Sequence, residues 1–279
     1  MTISIIIATK DNGICLERCL ASILEQSQAP EKVIVQDGLS SDNTVDVLHR
    51  YSLLFGGILD WISEPDSGIS DAWNKAIARA SGDWILFLGS DDRLHSPIAL
   101  ARAGEALNRL DPHVRIAYGN VIMVRPDGTI VDNIGLHWSH IKEKFRRSHY
   151  CLQHQAVFHR LSFFQSYGAF DLELRICADQ EILLRGLYGE DAVFLDGLNV
   201  SCMAIGGVSG QRRNIVRVNR ELLSIQGKYR RVPFWDLLYW NLIKAHVIFW
   251  LYFLGGDSFA LRCINFYRVV LRGRSPLSF

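Results

Sequence analysis

Two rhythms of apolar and polar positions alternate along the first third of the chain. Ile3–Ala8 is a continuous apolar run of strand length, and Leu16, Leu20, Ile23 and Leu24 then recur at helical spacing. Lys32–Gln36, "KVIVQ", is a second β-branched run that ends at Asp37-Gly38. "SDNTVDVLHRYSLL" follows with a cap-like start and helical periodicity. Ile58–Ile62 is a third strand candidate. Ile69, Ala72, Trp73, Ala76, Ile77 and Ala80 form an i, i+3, i+4 stripe that Gly82 closes. Trp84–Leu88 is a fourth strand, apolar on both faces. This β-α-β-α-β-α-β order with continuous apolar strands predicts an α/β fold, a mostly parallel sheet covered by helices.

Beyond residue 95 the pattern loosens. Ile98–Leu110 reads as a helix, and Arg115–Val124 and Gly128–Asn133 flank the hairpin-type turn "RPDG". His137–Arg160 is polar, aromatic and basic, without clear periodicity, and Cys177–Leu187 reads as a helix. The end of the chain differs in kind. "PFWDLLYWNLIKAHVIFWLYFLGG", from Pro233, is about as long as a membrane span but is interrupted by Asp236, Asn241, Lys244 and His246. A central Asp or Lys costs ~3 kcal/mol in a span. Asp236, Asn241 and Lys244 share one side of a helical wheel, which favours an interfacial or packed helix over a crossing.

Charge sharpens this division. The 279 residues carry a net +1, but residues 211–279 hold 12 Lys/Arg against 3 Asp/Glu, and residues 1–210 hold 18 against 26. A near-neutral total with a basic tail argues against a nucleic-acid binder and suits an anionic membrane surface. Composition, 49% hydrophobic and 21% charged, supports a sizeable core. Cys15, Cys19, Cys151, Cys177, Cys202 and Cys263 match neither a zinc ribbon nor a disulfide framework, which suggests reduced thiols in the cytosol. "MTISIIIATKDNG" lacks a basic leader and reads as a first strand rather than a signal peptide.

The candidate chemistry lies at strand ends, where open parallel sheets bind ligands. Asp37 follows the second strand, Glu64 and Asp66 of "SEPDSG" follow the third, and Asp91-Asp92 follow the fourth. Acids gathered at one edge repel unless they meet donors or a cation. Hard oxygen ligands suit Mg²⁺ or Mn²⁺, and Mg²⁺ usually takes one or two carboxylates and completes its shell with substrate phosphates. A nucleotide diphosphate ligand follows. Neither Gly-x-x-x-x-Gly-Lys-Ser/Thr nor Gly-x-Gly-x-x-Gly stands after the first strand, where "ATKDNG" is found instead.

"SIIIATKDN", "VIVQDGLSSDNT", "WISEPDSGISDAWNKAIARASGDWILFLGSDD", "HQAVFHR" with "YGAFD", "ADQEILLR" and "GGVS" occur in that order. Together they resemble the family 2 inverting glycosyltransferases with the GT-A fold, in the branch associated with bacterial surface polysaccharides. The resemblance covers roughly residues 2–210. It implies a GT-A catalytic domain at 1–210, with a nucleotide-sugar half at about 1–95 and an acceptor half at about 96–210. A basic, aromatic helical appendage at 211–279 lies outside it.

The resemblance also implies roles. Asp37 would accept a hydrogen bond from the base, typically uracil, with Thr9 packed beside it. Ser90-Asp91-Asp92 stands at the Asp-x-Asp motif, so Asp92 would ligate Mn²⁺ or Mg²⁺ and Asp91 would lie near the ribose or sugar. Asp179 would be the catalytic base. Members often carry Ala-Arg-Asn where this chain has Ala72-Trp73-Asn74, so an expected phosphate contact is missing. Asp71 and Asn74, one turn apart, are then candidates for the donor sugar, with Asp66 nearby. His154 and Gln155 are candidates for the acceptor side, and Ser209 and Arg212 for the diphosphate.

The implied reaction moves a sugar from a nucleotide-diphosphate donor, typically UDP-linked, to an acceptor hydroxyl with inversion. The acceptor would be a saccharide, and one carried on a lipid diphosphate at the inner face of the cell membrane would explain the apolar and basic tail. Other readings stay open at this point. Asp91-Asp92 can be a solvated turn before a helix, Asp37-Gly38 a plain turn, and Asp66-Ser67 a helix cap. Asp179 can pair with Arg175 or Arg185, and His154 can be structural. A sugar nucleotidyltransferase would need a basic Gly-rich loop after the first strand. A non-catalytic scaffold would not need Asp37, Asp92 and Asp179 together.

Overall fold

The computed structural model describes residues 1–125, 127–147, 150–205, 207, 211–229 and 237–266. The chain divides into two compact units, Met1–Ile205 and Gly206–Phe279.

The first unit is built on strands whose side chains are apolar on both faces. β1 (Ile3–Thr9), β2 (Lys32–Asp37), β3 (Leu59–Ser63) and β4 (Trp84–Phe87) run parallel in the order β3-β2-β1-β4. Helices α1 (Gly13–Leu24), α2 (Thr44–Leu54) and α3 (Ile69–Ile77) connect them. α1 buries Leu16, Cys19, Leu20 and Ile23, the same i, i+4, i+7 stripe that marks it in the sequence. α3 ends three residues before the stripe does. Ala78 still bonds to Asn74, but Arg79 and Ala80 bond only three residues back, so the last turn tightens.

The sheet then changes direction. After β5 (Arg93–Leu94) and α4 (Ala99–Asn108), β6 (Ile116–Val124) and β7 (Ile130–Ile134) form the hairpin that the sequence announces. β8 (Val157–Arg160) lies antiparallel between β4 and β6, and β9 (Val193–Ala204) runs parallel to β6 before pairing with β5. The result is a GT-A-like α/β sheet with a parallel half and a mixed half.

Residues 137–160, which show no periodicity, hold more structure than the sequence reveals. α5 (Trp138–Arg147) is anchored by only Trp138, Ile141 and Phe145, and its remaining face is polar and basic. β8 is only four residues long and carries the buried His159. β9 escapes pattern reading for a related reason. Asp196, Gly197 and Asn199 interrupt it, and its register against β6 shifts between Tyr118 and Val121.

An aromatic layer packs against the end of β4. Phe87 stacks on His154 at 4.8 Å, and Trp73 of α3 meets both His154 at 5.1 Å and Phe170 at 4.8 Å. His159 closes the layer 5.1 Å from His154. Asn74 clips α3 to this layer. Its side-chain amide donates to the Phe170 carbonyl at 2.9 Å and accepts from the Phe170 N–H at 2.8 Å. Ser70 donates to the Leu174 carbonyl at 3.0 Å. The clipped residues lie in the loop that leads from α6 (Leu161–Tyr167) into α7 (Ala178–Leu187).

In the second unit α8 (Ile215–Tyr229) buries Leu222, Ile225 and Gln226 and packs against α9 (Leu237–Phe266). Among the described residues no helix is long and apolar enough to cross a membrane.

The layer makes a prediction about acid. Burial pushes the His154 pKa down from 6.5 to about 3, so the ring is neutral in the fold and its Nε2 has no partner. The unfolded chain therefore takes up this proton first as pH falls. The stability involved is complete above pH 6.5 and drains away between 6.5 and about 3. In His154→Phe, the loss of unfolding free energy between pH 7 and pH 5 shrinks by about 2 kcal/mol relative to the parent. Chemical denaturation at the two pH values measures it, and an identical loss in both proteins would mean that the ring is hydrated.

Candidate active site

Strand register lines up the first acids. Thr9 stands opposite Asp37 on the neighbouring strand, and Asp37 stands opposite Ser63. Asp37 is fully buried, and its carboxylate accepts from the Ser40 N–H at 3.0 Å, from the Ser63 hydroxyl at 2.5 Å and from the Ser40 hydroxyl. Three donors on four lone-pair sites explain how an ionisable group survives there. Ser40 and Ser63 escape attention in the sequence, although Asp followed three residues later by Ser is a turn signal. Thr9 is also buried, and its hydroxyl oxygen has no partner.

A second clasp joins the loops after β1 and β2. Ser40 accepts from the Asp11 N–H at 2.7 Å, and Asp11 accepts from the Ser41 N–H at 2.7 Å. Asp11 and Leu39 hold left-handed backbones with φ of 48° and 60°. Asp66 reaches the same loop. A Cβ at Gly38 would stand 2.5 Å from Asp66 Oδ2 and 3.3 Å from Lys10 Cδ. Asp66 also accepts from the Gly68 N–H at 3.0 Å, two residues on, and so shapes the start of α3.

Two expected donor-sugar contacts have other partners. Asp71 accepts from the Ser67 N–H at 2.9 Å, and that bond first, then Lys75, lowers its pKa. This is the reach-back bond of a helix N-terminus. Asn74 has both ends of its amide on the Phe170 backbone. The absent arginine is also explained, since Trp73 fills the aromatic layer instead. His154 belongs to that layer too. It is 5% exposed.

The end of β4 holds the most unusual chemistry. Ser90 accepts from the Asn12 amide at 2.9 Å, and Asp92 N–H bonds to the Gly89 carbonyl at 3.0 Å. Asp91 is exposed, whereas Asp92 is only 3% exposed. A Cβ at Gly89 would stand 2.5 Å from Asp92 Oδ2 and 2.9 Å from Asp91 Oδ1. Both carboxylates therefore fold back over the Gly89 turn. Burial, then the charge of Asp91, push the Asp92 pKa up from 3.8 to about 7. The Ala204 N–H, 3.2 Å from Asp92 Oδ1, and the Gln155 side chain counter this only partly. Gln155 thus sits at the acids, beside the buried His154.

Asp179 opens α7, in its first turn, with Oδ1 accepting from the Gln180 N–H at 2.8 Å. Arg185 serves another acid. It pairs with the buried Glu181 and donates to the carbonyls of Tyr167 at 2.6 Å and Ala169 at 2.9 Å. The segment after α5 links Asp179 to the metal-type acids. Cys151 lies close enough to Asp179 to feel its charge, and the Tyr150 carbonyl accepts from Gln180 at 3.0 Å. Gln155, four residues beyond Cys151, reaches Asp92. Four residues span at most about 14 Å, which limits how far apart the two acids' contacts on this segment lie. Ser209 lies outside the described residues, as does the side chain of Arg212.

The residues at β4 fit a divalent cation. Asp92 is a hard oxygen donor, desolvated and short of positive charge, with a second carboxylate beside it. Two carboxylates are what a Mg²⁺- or Mn²⁺-diphosphate complex takes from a protein. Among the described residues no group of three or more His, Cys, Asp or Glu gathers as a self-sufficient metal cage.

A parallel half-sheet with acids along its carboxyl edge, continued by a mixed half, defines a GT-A-type protein. The chain belongs to glycosyl transferase family 2, whose model matches residues 4–166. It is 31% identical over 186 residues to a PGL/p-HBAD biosynthesis glycosyltransferase of Mycobacterium bovis, covering 65% of this chain and 68% of that one. The fold is similar to that of S. aureus TarS in complex with UDP-GlcNAc, with a TM-score of 0.62, 16% identity, and 98% of this chain and 76% of that chain covered. It is also similar to the mannosyltransferase PcManGT of Pyrobaculum calidifontis in complex with GDP-Man and Mn²⁺, with a TM-score of 0.61, 17% identity, and coverage of 96% and 80%.

Asp92→Asn tests whether this acid serves the fold or a ligand. A raised folded pKa means that the native state keeps a proton that the unfolded chain releases between pH 3.8 and about 7. Metal-free stability is therefore lost as pH rises through that window. Asp92→Asn should be more stable than the parent by a few kcal/mol above pH 7, roughly level with it near pH 4, and inactive. A destabilised variant at pH 8 would make Asp92 a structural cap.

Proposed function

We propose that the chain is a metal-dependent inverting glycosyltransferase that uses a UDP-sugar. The observation that carries this is Asp92, a buried carboxylate with a pKa near 7 beside a second acid, at the edge where nucleotide ligands bind.

Asp92 would hold the cation, with Asp91 beside it and turned to the ribose or sugar. A divalent ion bound there supplies positive charge against the diphosphate leaving group. Asp37, Thr9 and Asp66 would border the base and ribose. Thr9 offers a buried hydroxyl without a partner, and Asp37 retains one lone-pair direction beyond its three donors. The acceptor hydroxyl attacks the anomeric carbon from the face opposite the diphosphate. As the new C–O bond forms, the bond to the diphosphate breaks and its electron pair leaves with the nucleotide. Asp179 takes the hydroxyl proton. α3 and the Phe170–Leu174 segment hold the approach to α7 in place, which keeps this base oriented. Lys10, beside Gly38 and Asp66, is a cation within the nucleotide loops where Trp73 supplies none.

The acceptor in this reading is a saccharide on a lipid diphosphate, used in surface polysaccharide assembly.

Thermal shift and turnover separate the parts. UDP with Mn²⁺ should raise the melting temperature by roughly 5 °C at saturating ligand, and either one alone by much less. No shift with any nucleotide–metal pair would sink the reading, and a larger shift with GDP would replace the base. Asp179→Asn should lose about 10²–10⁴-fold in transfer while keeping the Mn²⁺–UDP shift. Retained transfer would remove Asp179 as the base.

A further inference from the structure

α9 carries Trp240, Ile243, Val247, Trp250 and Leu254 at intervals of three and four residues, and each is at least 50% exposed. At 100° per residue they share an arc of about 80° and run for about 21 Å along the helix. Ala245, 2% exposed, lies on the opposite side. Ala245 marks a packed point on α9, and the stripe opposite it offers two indoles and three aliphatic chains to its surroundings, with Phe249 and Phe253 exposed outside the stripe. An exposed stripe of this size marks an interaction surface.

Three occupants are conceivable, and charge decides between them. A crossing is disfavoured, since no described helix is long and apolar enough and Lys244 interrupts this one. A second copy would bring like charge against like, because residues 211–279 hold 12 Lys/Arg and 3 Asp/Glu. An anionic bilayer turns the same excess into attraction. The second unit displays that excess on α8 and just before it. Arg213, Arg217, Arg220 and Lys228 are exposed on the side away from Leu222, Ile225 and Gln226. Tryptophan also favours the headgroup level of a bilayer, where its ring is buried and its N–H stays wet.

We propose that α9 is a membrane-interface helix that lies in the plane of an anionic bilayer, with the Trp240–Leu254 stripe at the acyl boundary. The basic charge of the second unit draws it to the headgroups. This goes beyond the transfer chemistry and does not depend on it.

Vesicle co-sedimentation of the full chain tests the proposal, with phosphatidylcholine vesicles made with or without phosphatidylglycerol. The protein should pellet with the anionic vesicles, release as salt rises, and shift its tryptophan emission to the blue. Trp250→Glu should weaken binding at least tenfold. Arg217→Gln with Arg220→Gln, which leaves the apolar stripe intact, should weaken it by ~fivefold per charge. Each variant should keep the parent's Mn²⁺–UDP thermal shift, so a failure of membrane binding and a failure of the donor reading remain distinct. Equal binding to neutral vesicles, or no binding together with a dimer that Trp250→Glu dissociates, would overturn the proposal.

Discussion

The site depends on one unfavourable act, the desolvation of Asp92. A carboxylate at the end of a buried strand loses water on most sides, and a second carboxylate next to it raises the cost of ionising it. The chain does little to relieve this. The backbone at Ala204, at the end of β9, and at Gly89, with the Gln155 amide, opposes burial and Asp91 only in part. Asp37, also buried, takes its hydrogen bonds from Ser40 of its own loop and from Ser63 at the end of β3. The fold thus contains two buried acids of opposite kinds. Asp37 is met by hydrogen-bond donors and ties the loop after β2 to the end of β3. Asp92 is left under-compensated, the condition in which a bound cation contributes most.

Holding an under-compensated acid in place requires stiff surroundings, and the aromatic layer supplies them. Phe87 is the last residue of β4, so the rings around it fix the strand from which Asp91 and Asp92 turn. The same rings hold α3 against Phe170, and the Asn74 clip extends that hold toward α7. One packed layer therefore sets the metal-type acids on one side and the approach to Asp179 on the other. His154 and Gln155 show how finely this is divided. Adjacent in sequence, one is locked among rings and the other reaches the Asp92 carboxylate.

The parallel half of the fold was legible because its strands are buried on both faces and its helices on one. Ile3–Ala8 and the Leu16–Ile23 stripe can hardly be read otherwise. Acids at strand ends were legible for the same reason, since strand boundaries place them. In the mixed half the β6–β7 hairpin was legible, but β8 was not, because it is short and contains a histidine whose burial is decided by rings distant in sequence. β9 is broken by polar residues whose partners lie on β6. The roles of Asp71 and Asn74 were hidden for a similar reason. Helical spacing gives the direction of a side chain, but whether it meets a ligand, Ser67 or Phe170 depends on loops that spacing does not describe.

Trp73 ties these observations together. Where similar proteins often place an arginine toward phosphate, this chain places an indole against Phe87, His154 and Phe170. The exchange removes a cation from the donor side and strengthens the layer behind the acids. In the proposed reaction, charge balance over a diphosphate would then fall more heavily on a cation held by Asp92 and on Lys10, near Gly38 and Asp66. A stiffer wall with fewer fixed cations would make such a site depend more on an exchangeable ion, in keeping with the raised pKa of Asp92.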